Sequence, residues 1–288
     1  MSNLLRSTIY LFFFVLLASG FAACDLINPD EQIPGFLRID SISLSTSVEE
    51  GNPDHNMVDA WVYENEKLIG IFELPAVVPI LKSGDAEIRI RGGIKMNGQV
   101  ATRIPYLFTK DYQATIELFP DSQISVNPTL QFQNWANHVW LEDFESVGLS
   151  LTTTDLSEAE LIRVEGEEAY QGKSLKLAIN SSQNIFECKS GLAYDLPGGG
   201  DPVFLEVTYR CNHSFVVGLF SRDGGGTFQV PVLVLSPKED WNRIYVNLTD
   251  IISSNSSFID HQPFFGFVRD EGFEGEAHVY LDNIRLIY

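Results

Sequence analysis

The sequence predicts an all-β protein, in which an Ig-like β-sandwich is followed by a β-jelly roll. After residue 34, apolar and polar residues alternate with a period of two, and a helical period is almost absent. In the segment 86–91, for example, Ala86, Ile88 and Ile90 share one face of a strand. The hydrophobic content of 44% with 12% aromatic residues is too high for a disordered chain.

Residues 35–130 are predicted to form the Ig-like sandwich, from six or seven short strands closed by turns. Between two of these strands, the polar residues 64–67 indicate a hairpin loop. The strands predicted for this half are 36–44, 60–63, 68–72, 77–81, 86–91 and 112–118.

Residues 131–138 are predicted to be a short linker, and residues 139–288 to be the jelly roll. The second half contains nine strand segments that are longer and more aromatic, which suits a fold of two sheets. One short helical turn is predicted at 248–253. The predicted strands are 139–144, 174–179, 186–194, 204–209, 215–220, 230–235, 243–248, 264–268 and 279–287.

Residues 1–23 are predicted to be a signal peptide. A lone cation, Arg6, precedes an apolar run that is shorter than the ~20 residues of a membrane-spanning helix and ends in small residues. Cys24 follows, and this arrangement resembles the lipobox of bacterial lipoproteins, with Phe21 where that motif usually has Leu. The resemblance implies that Cys24 becomes the first mature residue and carries acyl chains such as palmitate, with 24–34 as a tether. An ordinary secretory cleavage beside an incidental cysteine is the alternative.

The charge of the chain limits its partners. With 19 Lys and Arg against 39 Asp and Glu, the formal net charge is −20. A surface this acidic repels nucleic acid and anionic lipid headgroups, and it can recruit divalent cations. Nucleic acid is therefore excluded as a predicted partner.

Cys188 and Cys211 are candidates for a disulfide, because an exported protein lies outside the reducing cytosol. Their midpoint falls in the glycine-rich turn 197–202. If the flanking segments form a hairpin about that turn, the two cysteines face one another. Two buried free thiols are the alternative.

The sequence contains no catalytic constellation, so the protein is predicted not to be an enzyme. The five histidines are dispersed, with no pair at the helical spacing of a zinc site. A Gly-x-Ser-x-Gly motif is absent, and a strand-rich pattern lacks the strand-to-helix turn that exposes such a serine. A hydrolase with an unrecognised site is the minor alternative.

The second half resembles the galactose-binding-like jelly rolls that occur as carbohydrate-binding modules. The matching segments are 141–145, 166–177, 241–248 and 279–286. The complete chain resembles the two-domain surface lipoproteins of the Bacteroidota, which implies a lipid anchor in the outer membrane and exposure at the cell surface. Asp40-Ser41-Ile42 resembles the O-glycosylation motif of that group, so Ser41 is a predicted glycosylation site.

The resemblance to these jelly rolls also implies a structural calcium ion where the first and last strands lie side by side. Asp143 and Glu145 share one face of the first strand, and Asp282 lies on the last. Ca²⁺ takes six to eight oxygen ligands, and carboxylates supply them. The alternative is that these acids are solvated or cap turns.

For ligand binding, the resemblance implies exposed aromatic side chains that stack on sugar rings. Trp135 is the best candidate, because its neighbours are small or polar, although packing in the linker is the alternative. The segment 221–228 is predicted to be a loop that holds Arg222, Asp223 and Phe228 close enough together to bind a polyol.

These inferences together predict a non-catalytic lipoprotein, anchored in the outer membrane, that acts as a binding or adhesion module and recognises glycan with its jelly roll. The alternative is a structural subunit of an envelope complex for secretion, motility or nutrient uptake. Such a subunit would bind protein instead of sugar.

Overall fold

A computed structural model describes residues 31–254 and 256–288. The predicted signal peptide and Cys24 lie outside these residues. Within them, no helix is long and apolar enough to cross a bilayer. The regular structure of the described chain is almost entirely strand, with one short helix, α1 (Thr249–Ser254), and two turns of 3₁₀-helix. The predicted all-β class is confirmed.

The first half packs one mixed and one antiparallel sheet over one apolar core. One sheet has the order β5-β1-β9 and the other β4-β3-β6-β7, with β8 also paired to β6. Strands β2 and β10 form a separate parallel pair. The strands are β1 (Gly35–Ile39), β2 (Ser43–Ser45), β3 (Asp59–Glu64), β4 (Lys67–Glu73), β5 (Ala76–Ile80), β6 (Gly84–Lys95), β7 (Arg103–Pro105), β8 (Tyr112–Leu118), β9 (Gln123–Ser125) and β10 (Thr129–Gln131).

Local sequence explains these elements. The alternating residues Ala86, Ile88 and Ile90 of β6 are buried, as the pattern predicts. The predicted hairpin joins β3 to β4, and Asn65 and Glu66 have φ of 45° and 63° in its turn. Two successive residues at positive φ are typical of the type I′ turn, whose twist matches that of the flanking strands.

The second half is a sandwich of two antiparallel sheets. The junction sheet has the order β13-β14-β21-β16-β19, with β11 also paired to β21, and the outer sheet has the order β12-β15-β20-β17-β18. The strands are β11 (His138–Glu142), β12 (Leu151–Thr153), β13 (Ile162–Glu165), β14 (Lys173–Ile179), β15 (Ile185–Ser190), β16 (Phe204–Cys211), β17 (Phe215–Asp223), β18 (Gly226–Leu235), β19 (Lys238–Asn247), β20 (Asp260–Val268) and β21 (Ala277–Ile287).

The core of the second half lies between its two sheets. The outer sheet contributes Phe186 and Phe267, whose stacked rings have centroids 5.9 Å apart. The junction sheet contributes Leu177, Val207 and Leu281, all completely buried. Because each strand alternates inward and outward residues, the opposite face of each sheet remains for other contacts.

The junction sheet packs against the first half. Its residues Phe204, Tyr245 and Ile287 belong to the apolar core of the first half, and all three are buried. The backbone N–H of Asn56 donates to the hydroxyl of Tyr245 at 2.6 Å, and the backbone N–H of Asn97 donates to the carbonyl oxygen of Tyr245 at 2.9 Å. The outer sheet therefore lies on the far side of the sandwich from the first half.

A buried charged cluster lies in this interface. Glu206 Oε2 accepts hydrogen bonds from Arg243 Nη2 at 2.7 Å and Arg285 Nη1 at 2.9 Å, and the hydroxyl of Tyr106 donates to the same carboxylate. Burial alone would raise the pKa of Glu206, but the two guanidinium groups and the tyrosine outweigh it and lower the pKa. The acid is therefore ionised and pairs with both arginines.

The predicted disulfide between Cys188 and Cys211 is not present, and both thiols are free and buried. The hairpin assumed about residues 197–202 does not form, because the chain crosses there from one sheet to the other. Cys188 lies in the outer sheet opposite Phe265, whereas Cys211 lies in the junction sheet opposite Val279. The alternative of two buried thiols is the arrangement observed.

Candidate functional site

The outward face of the outer sheet carries the candidate site. In β17, Val216, Gly218 and Phe220 point outward, since the intervening residues are buried in the core.

The register with β20 places Gly218 opposite Phe264 and Phe220 opposite Gln262. The register with β15 places Lys189 opposite Phe264 and Glu187 opposite Gly266. Residues far apart in sequence thus form rows across one face.

Two aromatic rings lie at the centre of this face. The rings of Phe220 and Phe264 have centroids 5.0 Å apart. A Cβ atom on Gly218 would lie 2.3 Å from Cε1 of Phe264, so the Phe264 ring lies directly against the strand backbone. Lys189 Nζ is 5.5 Å from the centroid of the Phe220 ring and donates to Gln262 Oε1 at 3.0 Å.

A hydrogen bond crosses the same face from β15 to β18. Gln229 Nε2 donates to Glu187 Oε2, and Thr154 Oγ1 donates to Glu187 Oε1 at 2.8 Å. Strands β20 and β17 lie between β15 and β18. Neighbouring strands are about 4.8 Å apart, so three such steps would separate the two strands by about 14 Å in a flat sheet. The hydrogen bond therefore indicates that the sheet curls and that this face is concave.

A cavity of about 250 Å³ opens on the concave face. We call it the outer groove, and define it by Glu187, Val216, Gln229, Phe264 and Gly266. Gly266 has no side chain to fill the space, Val216 and Phe264 supply apolar walls, and Glu187 and Gln229 supply polar atoms. An apolar surface with a few placed polar groups is typical of small-ligand sites.

The prediction that 221–228 is a polyol-binding loop is wrong, because most of this segment belongs to the end of β17 and the start of β18. Arg222 points outward on the same face as Phe220, and its Nε donates to Asp260 Oδ1 at 3.1 Å. Phe228 pairs with Ser221 and so lies on the opposite face. Asp223 Oδ1 accepts from the backbone N–H of Gly225 at 2.7 Å and closes the turn. Arg222, Asp223 and Phe228 therefore do not converge on one ligand.

Ser41 lies in the first half, and Trp135 lies in the segment that leads from the first half to the second. Both are away from the outer groove. The side chain of Trp135 is 51% exposed and packs against Phe108, with ring centroids 5.6 Å apart. Ser41 is exposed, and its backbone N–H donates to Asn127 Oδ1 at 3.4 Å. Glycosylation of Ser41 and ligand stacking on Trp135 stay predictions.

The three predicted calcium ligands are each held by local donors. Asp143 Oδ1 accepts from the backbone N–H of Glu145 at 3.1 Å, and Glu145 Oε1 accepts from the backbone N–H of Lys173 at 2.6 Å. Asp282 is buried and accepts from Ser174 Oγ at 2.5 Å. Within the described ranges, no three His, Cys, Asp or Glu side chains are grouped to hold a metal. The residues present therefore do not fit the predicted three-carboxylate site.

A serine and a histidine meet below the outer sheet. Ser221 Oγ and His261 Nδ1 are 2.8 Å apart, but both residues are buried on the core side of their strands. Burial lowers the pKa of His261. The pair faces away from the outer groove, so a ligand in that groove cannot reach it.

Sequence reasoning did not single out Glu187, Gln229, Gln262 or Phe264. Alternation shows which residues of one strand share a face, but these four residues come from three strands whose neighbours are set by topology. The available signal was glycine within a strand, which marks a close approach of other atoms. Gly218 and Gly266 both lie at outward positions. Gly218 borders the ring of Phe264, and Gly266 lines the outer groove.

No family model and no curated protein matches this chain. Among solved structures, a family 11 carbohydrate-binding module of a cellulosomal cellulase from Clostridium thermocellum is 12% identical, with a TM-score of 0.36 over 52% of this chain and 93% of that one. A family 28 module specific for non-crystalline cellulose is 13% identical, with a TM-score of 0.37 over 52% and 94% of the two chains. A xylanase fragment from Clostridium thermocellum in complex with xylohexaose is 12% identical, with a TM-score of 0.40 over 53% of this chain; the match spans 28% of that chain.

Proposed function

We propose that this protein is a non-catalytic lipoprotein that binds glycan along the concave face of the outer sheet, across Phe220 and the outer groove. The observation that carries the proposal is the concave face of the outer sheet, where the Phe220 and Phe264 rings lie among polar side chains. This face points away from the first half, so a polymer can approach it without obstruction from residues 31–130.

The chemistry of the face matches that of a sugar ring. A pyranose has an apolar C–H face, which packs on an aromatic ring, and an edge of hydroxyl groups that need hydrogen-bond partners. Phe220 is half-buried and offers such a ring surface. Glu187 and Gln229 offer acceptors and donors at the groove, and Lys189 and Gln262 offer them beside Phe220.

The balance of charge on this face favours a neutral glycan. Two acids, Glu187 and Asp260, are accompanied by two cations, Lys189 and Arg222. Arg222 is already paired with Asp260, and Lys189 donates to an amide oxygen. A strongly anionic polymer would meet one cation of this face that has no acidic partner in the described chain, Lys189, and would be repelled by a chain of net charge −20.

We further propose that Cys24 carries acyl chains that anchor the protein in the outer membrane, with the second half exposed at the cell surface. The proposal is supported by the apolar leader that ends in small residues before Cys24. Each buried methylene adds about 0.8 kcal/mol, so two or three chains give a stable anchor where one gives a marginal anchor.

The test of glycan binding compares two phenylalanines of one hairpin. Phe220 points toward the concave face and Phe228 away from it, and both are accessible. In titrations of the purified protein with neutral β-glucan, xylan and mannan oligosaccharides, Phe220→Ala should weaken binding roughly tenfold, the loss of one stacked ring. Phe228→Ala should bind as the wild type does.

Three results would count against this function. Binding that is lost in Phe228→Ala but kept in Phe220→Ala would move the site to the opposite face. No binding to any glycan of the panel, together with a stoichiometric protein partner from solubilised membranes, would favour the structural subunit of an envelope complex. Cleavage of an oligosaccharide by the purified protein would make it an enzyme.

A further inference from the structure

Three large apolar side chains are exposed at the end of the first half where the described chain begins. Ile33, Leu81 and Phe119 are 61%, 64% and 51% exposed. Each lies just outside a strand, so the solvent side of each is open. We call these three residues the proximal tip.

The ladder hydrogen bonds place the three residues around one strand end. Gly35 pairs with Ile80, which puts the residues that precede β1 beside those that follow β5. The backbone N–H of Asp121 donates to the carbonyl oxygen of Pro34 at 3.0 Å. The carbonyl oxygen of Phe119 would lie 3.1 Å from a Cβ atom on Gly35. The three apolar side chains thus project from neighbouring segments.

We propose that the proximal tip inserts into the surface of the membrane that holds the lipid anchor. This inference rests on the proposed acylation of Cys24. Nine residues lead from Cys24 to Ile33, and an extended chain spans at most ~3.6 Å per residue, so the tip stays within about 32 Å of the anchored sulfur. A tether of this length turns insertion into an intramolecular event at high effective concentration.

The charges near the proximal tip select the kind of lipid surface. Lys82 follows Leu81, and its Nζ is already paired with Glu64 at 3.1 Å. Glu31 and Asp121 are exposed beside the tip, and no lysine or arginine in the described part of the chain forms an ion pair with either acid. A surface of zwitterionic lipid admits these acids, whereas an anionic surface repels them.

Insertion at the proximal tip would also set the height of the outer groove above the membrane. Strand β6 begins at Gly84, which pairs with Leu118 at the tip end. Just after its other end, Met96 forms a bridge with Tyr245 of the junction sheet. At 3.3 Å per residue, the distance from Gly84 to Met96 is about 40 Å. The first half would therefore act as a spacer that holds the second half away from the lipid.

The test places an environment-sensitive fluorophore at the proximal tip. The full-length protein is reconstituted in phosphatidylcholine vesicles, with and without brominated lipid, after labelling of Phe119→Cys. The control is Val147→Cys in the second half, where the side chain is 99% exposed. The buried thiols of Cys188 and Cys211 are shielded from the label.

At position 119 we expect a blue-shifted emission that brominated lipid quenches, and at position 147 we expect neither. Replacing both Ile33 and Leu81 by Ser should reduce the quenching at 119 while the protein still floats with the vesicles. If the protein floats with an acylated Cys24 but the label at 119 emits as in water, insertion of the proximal tip is contradicted, whereas the lipid anchor at Cys24 is supported. If Cys24 carries no lipid and the protein does not float, both the lipid anchor and the insertion of the proximal tip are contradicted.

Discussion

The hydroxyl of Tyr106 in the first half donates a hydrogen bond to the buried carboxylate of Glu206 in the second. Two arginines of the second half hold the same carboxylate, and Arg285 Nη2 also donates to the carbonyl oxygens of Glu50 and Asn52 in the first half. The two halves therefore share one polar network inside a buried interface. Because a buried charge needs its partners, removal of the acid should be costly.

The first prediction concerns Glu206. Glu206→Ala leaves the guanidinium groups of Arg243 and Arg285 buried without their acid, and should lower the free energy of unfolding by about 3–5 kcal/mol. Tyr106→Phe, the matched control, removes one hydrogen bond to the ionised carboxylate and keeps both ion pairs, so it should cost less, about 1.5–3 kcal/mol. Urea denaturation measures both values. Equal decreases in the free energy of unfolding of the two variants would show that the ion pairs contribute no more than the tyrosine hydrogen bond does.

The second prediction concerns pH. Burial raises the pKa of Asp282 to about 6 from the ordinary value of 3.8. Folding thus favours the protonated acid, so its stabilising contribution is complete below pH 3.8 and is lost as the pH rises through about 6. We expect wild type to lose stability between pH 4 and pH 7 relative to Asp282→Asn.

The free energy of unfolding at several pH values measures this difference. Ser174→Ala removes a donor that stabilises the ionised carboxylate, and should move the loss to higher pH. Wild-type and Asp282→Asn curves that run parallel from pH 4 to pH 7 would contradict the prediction.

The third prediction concerns the glycine under the Phe264 ring. In Gly218→Ala the new Cβ would lie 2.3 Å from Phe264 Cε1 and 2.5 Å from the carbonyl oxygen of Val230. One contact is with backbone, which cannot rotate away, so we expect a loss of about 1–3 kcal/mol. Gly224→Ala, in the turn of the same hairpin, meets no atom within 4 Å and should leave the melting temperature nearly unchanged. Similar melting temperatures for both variants would mean that the Phe264 ring and the backbone at Val230 both shift without cost, and would contradict the prediction.

The fourth prediction concerns the cysteines. Burial raises the pKa of the Cys211 thiol to about 11 and that of the Cys188 thiol still further, so both are protonated at neutral pH. In the native protein at pH 8, neither should react with iodoacetamide within an hour, whereas the exposed Val147→Cys should react fully. Peptide masses after unfolding should show both Cys188 and Cys211 alkylated without prior reduction. If the peptides of Cys188 and Cys211 separate only after reduction, the two cysteines form a disulfide and the prediction is wrong.

Much of the fold follows from short-range pattern. The alternation of Ala86, Ile88 and Ile90 gives the strand and its buried face, and the polar residues after Glu64 give the hairpin. Such features depend on neighbours in sequence, which the chain itself displays.

Features that depend on which strands are neighbours did not follow from the sequence. The turn at 197–202 is rich in glycine, and its composition suits a hairpin and a crossover between sheets equally well. Placing Cys188 and Cys211 in different sheets is a matter of topology. For the same reason Glu187 and Gln229, which meet across the outer groove, could not be paired in advance.

The ladder between β11 and β21 has a consequence for the rate at which the second half folds. It pairs His138 with Ile287, so nearly the whole half lies in the loop that this contact closes. Closure of so long a loop costs entropy before burial compensates for it, and such topologies fold in milliseconds to seconds. Until that ladder closes, apolar strand surface is exposed, and we expect the yield of refolding of this half to fall as the protein concentration rises.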